Sequence, residues 1–344
     1  MLKSASYIFI VSRAHGLSTR LLTYDELDSL KKTRDLQAFI DLLTKDDYVQ
    51  VLSTLERGRV DAATLNRLFS KVYVDRLIYF TKISSGKFRD FMMSYVRRLE
   101  VENLRRVLRA KLRGKEISID ELIPIPRGYT ALNFQELVNV SSIEDISYHL
   151  VPTMYRGAQE SISIAKSINS TLPVELAVEA VYFAKLLEVA NTLPSNKRVV
   201  DVLRNEYFSK LAYYIFGMKF LEAPLIVFER YSGLIARNLS VPVDFINDLL
   251  RSREDVALNI ILRSRYRWLV KYIEDAVERK SVNDLYRAIH KGFRSFHIDL
   301  SKRHPLDMAY VLWYLYSVEY EYMNLIQIST AKELGIDPEE IELY

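Results

Sequence analysis

The chain is 344 residues long with 49% hydrophobic and 27% charged residues, the balance of a globular protein with ample core, and its length predicts about two to three domains. Its 48 lysines and arginines nearly cancel 44 aspartates and glutamates, leaving +4, too little to mark an obligate nucleic-acid binder. Cysteine is absent, which excludes disulfides, thiolate nucleophiles, iron–sulfur clusters and cysteine-ligated zinc.

Ten glycines and nine prolines are under half of the roughly 41 expected at average usage. Strand-to-strand turns consume these residues, so a many-stranded sheet is disfavoured and the expected fold is all-α. The two closest glycines, Gly114 and Gly128, lie fourteen residues apart. A P-loop, a dinucleotide fingerprint and a Gly-x-Ser-x-Gly elbow all need tighter spacing.

From the N-terminus, Lys3 followed by Ala5 to Val11 resembles a feeble signal peptide, but Arg13 and His15 follow without a small-residue cleavage site. The apolar face of a first helix is the expectation. Leu65, Leu68, Phe69, Val72 and Leu77 share one helical stripe, with Asp61 as its cap region. A basic stretch from Arg97 to Lys115 follows, then Pro124-Ile125-Pro126-Arg127-Gly128, which breaks helical geometry. Leu239-Ser240-Val241-Pro242 is a second break. His290, His297 and His304 are spaced by seven, about 10 Å on a helix and too far to share one metal, so no metal site is expected. The 23 tyrosines occur at helical spacings with Leu and Val, which favours core packing over nucleobase stacking. The longest uncharged apolar stretch, Met308 to Val318, is eleven residues, against about 20 for a membrane span.

Internal repetition organises these elements. Glu100, Asn103, Leu104, Ala110, Lys111 and Gly114 recur as Glu321, Asn324, Leu325, Ala331, Lys332 and Gly335, and Tyr95 recurs as Tyr316, all at an offset of 221. A second marker supplies a middle copy. Leu43-x4-Tyr48, Leu150-x4-Tyr155 and Ile261-x4-Tyr266, preceded by Leu27, Phe134 and Phe245, fall 107 and 111 residues apart. Three copies are therefore expected, over 1–127, 128–239 and 240–344. The middle copy lacks the Glu-x-x-Asn signature, with its counterpart expected between Leu211 and Gly233.

On a helix, positions 100, 103, 107, 110 and 114 form one narrow stripe. Ala110 and Gly114 would allow close approach of a neighbouring backbone, and Gly114 also suits a helix C-terminus. Asn103 and Asn324 are poor helix formers, so burial against backbone is expected of them. No second titratable group repeats beside Glu100 and Glu321 in catalytic spacing, so proton-transfer chemistry is not expected there. Arg98, Arg105 and Arg109 share a face beside the stripe. It reads either as a partner-contact face for head groups or an acidic partner, or as a solvated face paired to Glu100, Glu102 and Glu116.

The segment Tyr95 to Lys111 resembles the helix "D/E-I-x-N-L-x-x-I-L-R-A-K" of the C subunit of archaeal-type rotary ATP synthases, whose eukaryotic relative is the vacuolar ATPase d subunit. Glu321 to Gly335, closing with Pro338 to Ile341, resembles that family's final helix, and Tyr7, Arg13, Leu21-Leu22 and Leu43-Thr44…Tyr48 its N-terminus. Glu222-Ala223-Pro224-Leu225 departs from the pattern. The resemblance implies a single-copy, funnel-shaped, all-helical, non-catalytic central-stalk rotor component without cofactor. It would sit peripherally on the cytoplasmic face of the cell membrane, on the proteolipid ring, receive the D and F components of the central shaft, bind no nucleic acid, and pass torque for proton or sodium transport. A helical-repeat adaptor holding RNA or anionic lipid through its basic helices is the alternative.

Overall fold

The computed structural model describes residues 5–55, 60–194, 196–223 and 226–344; Lys3, Pro224 and Leu225 lie outside them. Helix accounts for 74% of the described residues, and no strand occurs among them. The order of elements follows the sequence markers: short helices lead into two long ones, at Ala62–Ile83 and Gly86–Val96 continuing as Arg98–Leu112, then Leu172–Ala190 and Lys197–Phe220, then Val282–Arg303 and Met308–Glu333.

The chain divides into two compact units, one of Met1–Met92, Asp120–Ile125 and Leu300–Tyr344, the other of Met93–Ile119 and Pro126–Asp299. In the first, Ala62–Ile83 packs along Met308–Glu333. Asp61 starts the former by accepting from the Thr64 N–H at 2.7 Å, and Leu65, Phe69, Val72 and Leu77 are buried on its inner stripe. The first helix, Ala5–Ser18, buries Tyr7, Ile10, Val11 and Ala14 and leaves Ile8 and Phe9 exposed. The apolar run from Met308 is core: Val311, Leu312, Tyr314, Leu315 and Val318 are all buried. No helix among the described residues is long and apolar enough to cross a membrane.

In the second unit, Leu172–Ala190 is the central helix, packed by Lys197–Phe220 and Ile226–Leu239. It buries apolar side chains all round, together with Glu175 and Glu179, a pattern of a helix surrounded by others. Phe183 stacks on Tyr207 with centroids 4.7 Å apart. Buried tyrosines contribute most of the large core side chains of the second unit, and phenylalanines most of those of the first.

Candidate functional site

The repeated motif holds short helices by their ends. In the first unit, Glu321 is buried on Met308–Glu333. Its Oε2 accepts the Leu22 N–H at 2.5 Å, and its Oε1 accepts the Tyr48 hydroxyl and Arg76 Nη1, each at 2.5 Å. Leu22 immediately precedes Thr23, the cap of Tyr24–Lys31. Eleven residues further along the gripping helix, Lys332 Nζ donates to the carbonyls of Lys31, at 3.0 Å, and Thr33. Eleven residues rise about 16 Å, enough to bracket an eight-residue helix and its caps. A carboxylate thus meets the positive end of the short helix and an ammonium the negative end, which is the favourable pairing with its dipole.

The second unit repeats the arrangement. Buried Glu100 accepts through Oε2 from Thr130 Oγ1 at 2.6 Å, the Ala131 N–H, and the Leu132 N–H at 3.3 Å. Leu132 precedes Asn133, the cap of Phe134–Leu137, and Lys111 Nζ donates to the Val138 carbonyl at 2.8 Å. Burial and then the Glu100 charge push the Tyr155 hydroxyl well above its usual pKa, as burial and Glu321 do for Tyr48. Arg76 is raised despite burial, because Tyr48 and Glu321 favour its charged form.

Leu104 and Leu325 are fully buried. Asn324 is buried and clasps the backbone of Tyr344, donating to its carbonyl at 3.3 Å and accepting its N–H at 2.8 Å; Asn103 is equally buried. Gly114 and Gly335 take φ of +63° and +67°, and the next N–H groups, of Lys115 and Ile336, return to the carbonyls of Ala110 and Ala331 at 2.9 Å. A Cβ at either glycine would meet nothing within 4 Å. The expected close approach of another backbone is therefore not the reason for glycine; the left-handed helix stop is.

The middle counterpart begins ahead of the expected Leu211. Lys219 Nζ donates to the carbonyls of Leu250, at 2.8 Å, and Ser252, at the end of Val243–Arg251. Glu222 takes the left-handed position at φ +50°, and the Ala223 N–H returns to Met218 at 3.0 Å. Counting back from Lys219 puts Phe208 where the others have glutamate. Its ring lies on Tyr266 at 3.8 Å, 6° from parallel, a stack in place of a tyrosine–carboxylate contact. The helix it would address is capped by Pro242. Lysine spacings of 108 and 113 are the legible signal; the loss of glutamate and asparagine hides it.

Arg98, Arg105 and Arg109 do not form an open contact face. Arg98 is buried, bonding Glu206 at 2.6 Å and the Tyr95 hydroxyl at 2.7 Å. Arg105 pairs with Glu179 and bonds the Tyr214 hydroxyl at 2.7 Å. Arg109 holds Glu175 by two bonds of 2.7 Å, with Thr171 Oγ1 donating to the same carboxylate at 2.6 Å. Burial alone would raise Glu175, but Arg109 ahead of Arg105 holds it below the usual carboxylate range. Of the acidic residues expected as internal partners, Glu102 alone joins this set, 3.4 Å from Arg105. The other carboxylates come from Leu172–Ala190 and Lys197–Phe220, which spacing within the basic helix could not reveal.

The hydrogen bonds of these clusters run to backbone and to one another, and among the described residues no group of His, Asp and Glu could hold a metal ion. The fold and motif define an all-helical protein organised around helix-end grips. The model of the family described as ATP synthase (C/AC39) subunit matches residues 10–344, and the chain belongs to that family. It is 25% identical to the A-type ATP synthase C subunit of Pyrococcus furiosus, over 99% of this chain and 90% of that protein. It is 24% identical to that of Pyrococcus horikoshii with the same coverage, and 22% identical to that of Methanocaldococcus jannaschii over 98% of this chain and 85% of that protein.

Proposed function

We propose that the chain is the non-catalytic central-stalk rotor component of an A-type ATP synthase, linking the D and F shaft to the membrane proteolipid ring at the cytoplasmic face and passing torque for ion transport. The observation that carries this reading is the family match over residues 10–344. The grips support it mechanically. A torque-bearing part needs its small elements locked to its long ones, and three short helices here are held at one end by lysine and, in two cases, at the other by glutamate. The three copies, 1–127, 128–239 and 240–344, are read as successive units in which each gripping helix serves the short helices of the copy after it, the last serving the first. The RNA or lipid alternative loses part of its support, because Arg98, Arg105 and Arg109 of the basic helix are committed to Glu206, Glu179 and Glu175.

Affinity capture of the tagged chain from detergent-solubilised membranes tests the assignment. Recovery of the ATP synthase head together with a small proteolipid is expected; recovery of RNA alone would overturn it.

A further inference from the structure

Five arginines of the second unit lie on three stretches of backbone that contacts at Tyr266 and at the 238–239 carbonyls bring together. Arg265 lies over the ring of buried Tyr266, with its Cζ 5.0 Å from the centroid. Arg204 is half-buried beside them, and its Nε donates to the Asn238 carbonyl at 3.2 Å. The Tyr266 hydroxyl donates to the next carbonyl, of Leu239, at 3.3 Å. Arg237 precedes that pair of carbonyls, and Arg263 and Arg267 flank Arg265 two residues to either side; all four arginines besides Arg204 are exposed. None of the five forms an ion pair among the described residues; the exposed Arg67, Arg251 and Arg279 each do.

What faces this cluster does not neutralise it. Asp201 acts favourably on Arg204, and the C-terminal end of Ile226–Leu239 supplies about half a negative charge. Most of five guanidinium charges remain. Burial, and after it the Arg265 charge, hold Arg204 below the usual arginine range.

We propose that this cluster is a docking surface for a carboxylate-bearing segment of a partner protein. Arginine rather than lysine at every position suits bidentate, planar recognition of carboxylate. A membrane surface fits less well, because Leu262 is the exposed apolar side chain adjoining the cluster and a lone leucine offers little to insert. Nucleic acid fits less well too, because Tyr266 is buried under Phe208 and Trp268 is stacked on Phe296, leaving no open ring for a base. The inference rests on the rotary-complex reading only in expecting a partner at all.

The test uses the purified full chain and fluorescently labelled poly-glutamate, read by anisotropy at low and moderate salt. The R237E/R263E/R267E variant leaves Arg204 and Arg265 on Tyr266 and should weaken binding at least about tenfold. A control of equal net charge, R67E/R251E/R279E, reverses arginines that are already paired and should keep binding within about twofold. The neutral R263Q/R267Q variant, which cannot introduce repulsion, should lose part of the affinity. Equal weakening in variant and control would reduce the effect to net charge and overturn the proposal, as would unchanged peptide binding with lost binding to phosphatidylglycerol vesicles. Failure to capture a rotary complex would leave these measurements standing, so the two readings fail separately.

Discussion

The Tyr48 hydroxyl donates to Glu321 across 273 residues of sequence, and Arg76 donates to the same carboxylate oxygen. Arg76 also holds Asp47 at 2.9 Å, so four side chains from three helices share one buried network. Replacing Tyr48 with Phe removes a hydrogen bond to a charged acceptor while keeping the ring. We expect a loss of about 1.5–3 kcal/mol in urea unfolding. An unchanged midpoint would mean that Arg76 and the Leu22 N–H satisfy Glu321 by themselves.

Glu222 stands where the other two gripping helices have glycine, at φ +50°. A side chain costs about 1–2 kcal/mol in that conformation, partly offset by the extra freedom glycine gives the unfolded chain. Glu222→Gly should therefore stabilise by about 0.5–1 kcal/mol, whereas Gly114→Ala and Gly335→Ala should destabilise by a similar amount. Chemical denaturation of the three variants checks the opposite signs.

Lys219 grips the end of Val243–Arg251 without help from a glutamate at its other end. Lys219→Met should raise amide exchange over 243–252 by more than Lys332→Met raises it over 24–33, where Glu321 still holds the Leu22 N–H. Exchange mass spectrometry on both variants decides it. A larger effect at the Lys332 site would show that the glutamate adds nothing to the grip.

Reversing Arg98, Arg105 and Arg109 to Glu is not a surface change. Each new carboxylate would face Glu206, Glu179 or Glu175, all nearly fully buried. A cost above about 4 kcal/mol is expected, read as loss of cooperative unfolding or of soluble yield. A folded triple variant with native thermal stability would contradict the ion-pair network.

His290 and His297 are held at about pKa 3, by burial first and then, for His290, by Lys210 and Arg105 and, for His297, by Arg98. In the unfolded chain a histidine takes up its proton near pH 6.5. The unfolded state therefore binds more protons between about pH 6.5 and 3, and stability falls as pH drops through that window, by about 1.4 kcal/mol per pH unit for each histidine. Stability is unaffected by them above about pH 6.5. His297→Gln should flatten the fall in Tm between about pH 6 and pH 4; an unaltered slope would assign the acid sensitivity to other groups.

Much of this architecture is legible in the sequence alone. Asp61 caps the helix it was expected to cap, the scarcity of glycine and proline matches an all-helical chain, and the 221-residue offset marks the two complete grips. The lysine's role is not legible, because its acceptors are backbone carbonyls and carry no residue signature. The arginine partners are hidden for another reason: Glu175, Glu179 and Glu206 sit on helices 66 to 108 residues away from the arginines they meet. Periodicity on one helix says which side chains share a face and nothing about what covers it.

The 301 residues between Lys332 and the carbonyl it caps at Lys31 also set a schedule for synthesis. At about 5–20 residues per second, Tyr24–Lys31 and Asp46–Leu52 leave the ribosome roughly fifteen seconds to a minute before Glu321 and Lys332 exist to hold them. The second unit is nearly continuous in sequence and can settle while translation proceeds. The first must wait with its N-terminal helices unclosed, so a nascent chain stalled before Leu300 would expose them to chaperones and proteases.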